Sequence, residues 1–283
     1  MRQLQSYVAF IDIMGFSKII EGFDNPEDLG KQLLINFNAS LAAAINEQTQ
    51  EVDITSNEFP KINDETIYFY QFSDSIILYT VDCSINSLEK IIKTLIMFMA
   101  SSSLRGFPLR GALVKGDLYV NKSILVGKSI VKAAYLEKIQ DWSGILIDLS
   151  CFENNDEVIL KNRLLSNKLI VKADIPLKSL SDSKEPIDSF QYVVNWPEFI
   201  GMYISGEDDL KKKLAQYTGK PEGRAEEQIN KTIKFAKENL GSKRLPPFRF
   251  EAELSDSLNL NLTEEIEVEL TKFSHSEIEK IKN

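Results

Sequence analysis

The chain has 283 residues, 43% apolar and 27% charged, enough for one large or two small packed domains and too apolar for global disorder. Asp and Glu total 42 against 33 Lys and Arg, and the resulting net charge of −9 argues against a partner gripped by its phosphates, so no nucleic-acid partner is expected. The single histidine, His275, excludes a Ser-His-Asp triad in the body of the chain, a paired-histidine zinc motif and a His-rich metal site.

In chain order, Met1 to Ser6 lead into an apolar run that Asp12 interrupts, which is not a signal peptide. Tyr7 to Ile13 reads as a buried strand, and Gly15 gives it a tight exit. Pro26 and Glu27 open a helix with the stripe Leu29, Leu33, Leu34, Phe37, Leu41 and Ile45, followed by a polar connection over 48–65. Thr66 to Phe72 and Ser75 to Val81 are strands split only by Ser73-Asp74, the spacing of a tight hairpin. The next helix carries Ile85, Leu88, Ile91, Ile92, Leu95, Ile96 and Met99, and its apolar stretch is far shorter than the ~18 residues of a membrane span. Pro108 restarts the chain in a strand over Leu109 to Val114, and a further extended segment runs from Leu118 to Val126. Gly127 opens a helix through Ile130, Ala134 and Ile139, and Gly144 to Asp148 is another buried strand. Cys83 and Cys151 lack metal-type spacing and read as reduced thiols. A soluble, cytoplasmic chain that meets no membrane is expected.

The order β-α-β-β-α-β, with a further strand, helix and strand, predicts an α+β fold with a ferredoxin-like core and helices on one face. Residues 1–150 suffice to close that core; 151–283 are expected to form a C-terminal α/β extension of unassigned role, packed on the core. Within it, the Ser-, Lys-, Asp- and Pro-rich run from Val171 to Pro186 reads as a loop and Phe190 to Trp196 as a strand. A long helix is expected over 208–240, broken near Gly219-Lys220-Pro221, and another over 264–281. Lys211 to Lys213 and Glu264-Glu265 read as solvated helix faces.

Two acids stand in unusual places. Asp12 ends an otherwise apolar strand, and Asp74 sits at the tip of a hairpin between two apolar strands. In a ferredoxin-like sheet those elements are central neighbours, so the carboxylates converge at one edge of the sheet. Each alone also suits a plainer role, Asp74 as a turn residue and Asp12 as a strand-end cap. Together, with a backbone carbonyl between them, they suit Mg²⁺ or Mn²⁺, which take oxygen ligands and share them with substrate phosphates. The glycine turn Gly15-Phe16-Ser17 runs toward a helix, so its N–H groups can face a polyphosphate.

The segment Phe10-Ile11-Asp12-Ile13-Met14-Gly15-Phe16-Ser17 resembles the first-strand motif of class III nucleotidyl cyclases. Phe72-Ser73-Asp74-Ser75 resembles that family's second metal aspartate, Leu109 to Asp117 its fourth strand, and Gly127 to Glu137 its last core helix. The likeness runs in order through residues 7–148. It implies the cyclase fold, two Mn²⁺ or Mg²⁺ ions per active site held by Asp12, Asp74 and the Ile13 carbonyl, a nucleoside triphosphate substrate, and a homodimer with composite active sites.

The departures carry information too. Purine cyclases have a base-reading lysine where this chain has Tyr70, a base-reading aspartate where it has Ile124, and an asparagine and an arginine where it has Val131 and Tyr135. A purine site loses its polar partners under these changes. A tyrosine at the base-reading position also resembles the pyrimidine cyclases of the Pycsar anti-phage system, which are short homodimers with a C-terminal extension. That likeness implies UTP cyclised to 3′,5′-cyclic UMP, with a separate effector reached through the cyclic nucleotide. A cytidylate cyclase, or an inactive nucleotide-sensing relative, is the alternative; a diguanylate cyclase lacks support because Phe72 to Ser75 is not its signature hairpin. Tyr70 also suits an ordinary strand aromatic. Among the few basic residues of the core, Arg110 is the first choice for a phosphate fork and Lys128 the second, each equally suited to a surface role.

Overall fold

The apolar run of Arg2–Ile13 builds β1, the central strand, which is buried on both faces: Tyr7, Ala9, Ile11 and Ile13 enter the core on one side, and Leu4 and Val8 are buried on the other. The structure is a computed structural model and describes residues 2–22, 25, 66–121, 124–178, 189–217 and 221–241. The expected helix from Pro26, the connection over 48–65, the helix over 264–281 and His275 lie outside the described residues.

β1 lies between β3 (Ser75–Thr80) and β4 (Leu109–Asn121) and is antiparallel to both. β2 (Ile67–Phe72) joins the far side of β3 through the Ser73-Asp74 turn, in which Ser73 takes a φ of 56°. The first four strands therefore stand in the order β2-β3-β1-β4, the ferredoxin-like arrangement. On the side of β4 away from β1, β5 (Ile124–Val126) folds back antiparallel on the end of β4 and β6 (Ile145–Ile147) runs parallel to its first residues. Two further strands, β7 (Ile170–Asp174) and β8 (Phe190–Val194), continue past β6, so residues beyond 150 extend the same eight-stranded sheet.

Among the described residues the α-helices are α1 (Phe16–Glu21), α2 (Ile85–Leu104), α3 (Lys128–Lys138), α4 (Asn155–Ser166), α5 (Glu207–Leu214) and α6 (Arg224–Asn239). Arg110 and Lys115 have opposite parity on β4 and point to opposite faces of the sheet. Arg110 bonds Glu137 of α3, and Lys115 bonds Glu157 of α4, which packs beside α2. Helices thus flank both faces, which corrects the expectation of helices on one face. The cause is the long β4–β5 excursion, which delivers α3 to the side that α2 does not cover.

Two further readings change. The run from Val171 is not a loop at its start, because Ile170 and Val171 pair with Val194 and Val193 of β8. Lys172 lays its ammonium over the Phe190 ring, 4.6 Å from the centroid, so cross-strand packing overrides a polar composition. Residues 155–166, for which the sequence shows no strong pattern, form α4, which opens with a full capping box of Asn154 and Glu157. The break expected near Gly219 separates α5 from α6, and α6 is tied to the loop before β6 by Arg224 and Lys231 on buried Asp141.

Candidate active site

The site grows from the end of β1. Asp12 pairs across the ladder with Ser75 on one side and Arg110 on the other, and its carboxyl is partly shielded. The chain then turns at Gly15, whose φ of 74° lies in the left-handed region that glycine enters without steric cost. Two backbone bonds fix this corner: Ile13 N–H donates to the Asp74 carbonyl at 3.1 Å, and Met14 N–H donates to the Pro108 carbonyl at 2.9 Å. The first bond pins the hairpin tip to the strand end and brings the Asp12 and Asp74 carboxyls within hydrogen-bonding reach of each other. The two acids meet at the ends of central strands rather than at a lateral edge of the sheet.

Crowding perturbs Asp12. Burial, then the carboxylates of Glu137 and Asp74, push its carboxyl up to about 7 against the opposing pull of Arg110. The oxygens gathered here suit a hard divalent cation, whose charge would relieve that repulsion. Among the described residues no group of three or more His, Cys, Asp or Glu side chains is placed to hold a metal ion together.

Among the described residues Arg110 is the cation paired with Asp12, its Nη2 3.6 Å from Asp12 Oδ2. Its Nε donates to Glu137 Oε1 and its Nη1 to the Gln140 carbonyl at 3.4 Å. Gly111 follows it because β1 and β4 touch here; a Cβ at that position would stand 2.7 Å from the Phe10 carbonyl oxygen. In the sequence Glu137 is no more than the last residue of the Gly127 to Glu137 helix motif. It lies on the buried side of α3 with Ser129 and Ala133, so four-residue spacing marks it as a buried acid that needs a cationic partner.

The other anticipated residues separate into two groups. Gly15, Phe16 and Ser17 adjoin Asp12, and α1 starts at Gly15 without a side-chain cap on its first N–H groups. Tyr70 belongs to the same face by register, since it pairs with Ile77, which pairs with Phe10. Its ring stacks on Tyr79 at 6.3 Å and packs beside Leu4, Val8 and Leu118. Tyr68 and Phe72 continue the row along β2, and Phe72 is 85% exposed. Ile124 is remote: it pairs with Asn121, at the opposite end of β4 from Arg110, roughly 35 Å along the strand at about 3.3 Å per residue. Lys128 opens α3, whose other end carries Glu137, roughly 14 Å away at about 1.5 Å per residue. One chain does not bring Ile124 or Lys128 to its own Asp12. Val131 and Tyr135 are exposed on α3. Lys115 points to the other face and pairs with Glu157, and Lys132 pairs with Asp148 at 2.7 Å.

No family model matches the chain, and no curated protein matches it. Solved structures similar in fold include the catalytic core of a rhodopsin-guanylyl cyclase with converted specificity, in complex with ATPαS. It shares 15% identity, 68% of this chain and 96% of that chain, with a TM-score of 0.42. An adenylate/guanylate cyclase/hydrolase from Silicibacter pomeroyi shares 12% identity over the same proportions, with a TM-score of 0.38. Scores this low leave function to the residues themselves. No helix among the described residues is long and apolar enough to cross a membrane.

Proposed function

We propose that the chain is a pyrimidine nucleotide cyclase of the Pycsar type, converting UTP to 3′,5′-cyclic UMP and pyrophosphate in bacterial anti-phage defence. The observation that carries this reading is the meeting of Asp12 and Asp74, pinned by the Ile13–Asp74 backbone bond, beside the Gly15 turn. Their carboxylates and the Ile13 carbonyl would hold two Mn²⁺ or Mg²⁺ ions. Such ions, when bound, make the ribose 3′-hydroxyl more acidic and stabilise charge on the leaving pyrophosphate. The 3′-oxygen forms a bond to the α-phosphorus, the α–β bridging bond breaks, and the hydroxyl proton passes to solvent.

The chain's own contribution is placement. The amides of Gly15, Phe16 and Ser17 face the polyphosphate, with Arg110 and Lys128 as its basic neighbours. Tyr70, whose hydroxyl both donates and accepts, meets the base, and Ile124 offers no carboxylate to a purine amino group. The distance of Ile124 and Lys128 from Asp12 in one chain supports a composite site in a homodimer, and the half-exposed row Tyr68, Tyr70 and Phe72 supports an apolar partner face. The cyclic product then acts on a separate effector. A cytidylate cyclase differs only in the base. An inactive nucleotide-binding relative is the second reading, favoured by Val131 and Tyr135, which expose apolar and aromatic surface on α3. Incubation with each of the four NTPs and Mn²⁺, with products resolved by mass spectrometry, separates these outcomes. Cyclic UMP is expected, cyclic CMP alone moves the assignment to CTP, and no cyclic product leaves the inactive relative.

A further inference from the structure

The guanidinium of Arg110 is divided between two masters. Its Nε is hydrogen-bonded to Glu137, which is only 6% exposed, and its Nη1 reaches the Gln140 carbonyl. Gln140 is itself fixed, because its Nε2 donates to the carbonyls of Gly111 at 2.8 Å and Leu136 at 2.9 Å. The plane of the guanidinium is therefore set by the end of α3, and only Nη2 turns to Asp12. At 3.6 Å that contact is a charge neighbour, longer than the ~2.7–2.9 Å of a strong charge-assisted hydrogen bond. Lys178, the next cation on this side, gives its ammonium to the Lys138 carbonyl at 2.5 Å. Arg110 is thus bonded to Glu137 and merely adjacent to Asp12. With its Nε–H side engaged by Glu137, the guanidinium keeps Nη2 and the second Nη1 hydrogen for any further partner, but its plane is already set by α3.

We propose that Arg110 is a built-in counter-cation of the Asp12–Asp74 pair, positioned by Glu137, and that it competes with divalent metal for Asp12. The inference rests on the reading of Asp12 and Asp74 as metal ligands. Glu137 is a positioning residue: it draws the arginine back from Asp12 far enough for an ion to enter, and close enough to neutralise the pair when none is bound. The two residues of this ion pair then have opposite effects on the affinity of a site that neither ligates. Loss of Arg110 removes a competitor, and loss of the Glu137 charge releases Arg110 onto Asp12.

The test measures Mn²⁺ binding to the full chain without nucleotide, from the free-ion signal in electron paramagnetic resonance, with circular dichroism melts as a check on folding. Arg110→Met is expected to tighten Mn²⁺ about tenfold and Glu137→Gln to weaken it about tenfold, the lower end of what one adjacent charge does to an ionic equilibrium. A purely structural ion pair predicts weakening by both variants. Should Arg110→Met fail to fold with Glu137 left unpaired, the double variant, which buries neither charge alone, must bind Mn²⁺ more tightly than Glu137→Gln. Binding by the wild type with both single variants unchanged, or shifted in the same direction, overturns this inference alone. Failure of the wild type to bind Mn²⁺ at millimolar concentration overturns the aspartate-pair reading, and the inference with it.

Discussion

Gly111 shows how tightly single residues control the site. It sits between Arg110 and the β1 backbone, where a methyl group meets the Phe10 carbonyl oxygen, a backbone atom that cannot swing aside. Gly111→Ala is expected to cost about 1–3 kcal/mol, the usual penalty of overpacking, and to lower the denaturant midpoint without changing the slope. An unchanged midpoint would mean that β1 and β4 have room to separate. At this scale the sequence was legible where a residue broke its local pattern. Asp12 ends an apolar run and Asp74 splits two strands, so both stood out. Glu137 did not, because a glutamate in a helix of mixed composition looks solvated until the helix face is known. The role of Arg110 was equally hidden: its partners Glu137 and Gln140 come from a helix end that no local pattern joins to β4.

Elements were legible when their periodicity was strong. β1 and the β2–β3 hairpin follow from apolar, β-rich runs with a two-residue break and α2 from three- and four-residue spacing, whereas β7 reads as polar because a lysine packs on aromatic rings. The capping box of α4 was present in the sequence as Asn154 and Glu157, and Glu157 also explains why that helix docks. Its carboxylate is buried and accepts from the Tyr7 hydroxyl at 2.6 Å and from the Lys115 ammonium at 2.7 Å. Burial alone would raise its pKa, but the backbone N–H bonds at the cap, Lys115 and Tyr7 outweigh it and hold the group below its ordinary 4.5. A folded-state value below the unfolded one stabilises the protein above the ordinary value, and that stabilisation is lost as pH falls through the folded value. Glu157→Gln should therefore lose about 1–3 kcal/mol at pH 7 and show a flatter stability profile between pH 6 and 3 than the wild type. Parallel profiles in urea melts across that range would remove Glu157 from the account of how α4 is held.

At the scale of the whole molecule, the long strand β4 separates two parts of the proposed site. Asp12 pairs with Arg110 at its start, while Ile124 lies beyond its other end, so the proposed chemistry calls for a second chain. The ferredoxin-like order was readable because four strong strands fix it, but the further strands β7 and β8 depend on contacts distant in sequence and were only partly visible. If two chains share each site, mixing inactive Asp74→Ala with inactive Tyr70→Ala protein should restore part of the activity through one intact composite site. No recovery after demonstrated subunit exchange would place both residues in the same site. The central claim is that the meeting of Asp12 and Asp74 makes this chain a nucleotide cyclase. The most direct measurement is turnover of UTP to cyclic UMP at saturating Mn²⁺ by the wild type, Asp12→Ala and Asp74→Ala, each checked for folding by circular dichroism. Turnover by the wild type, abolished in both folded variants, is the expected result; near-normal turnover in either variant contradicts the claim.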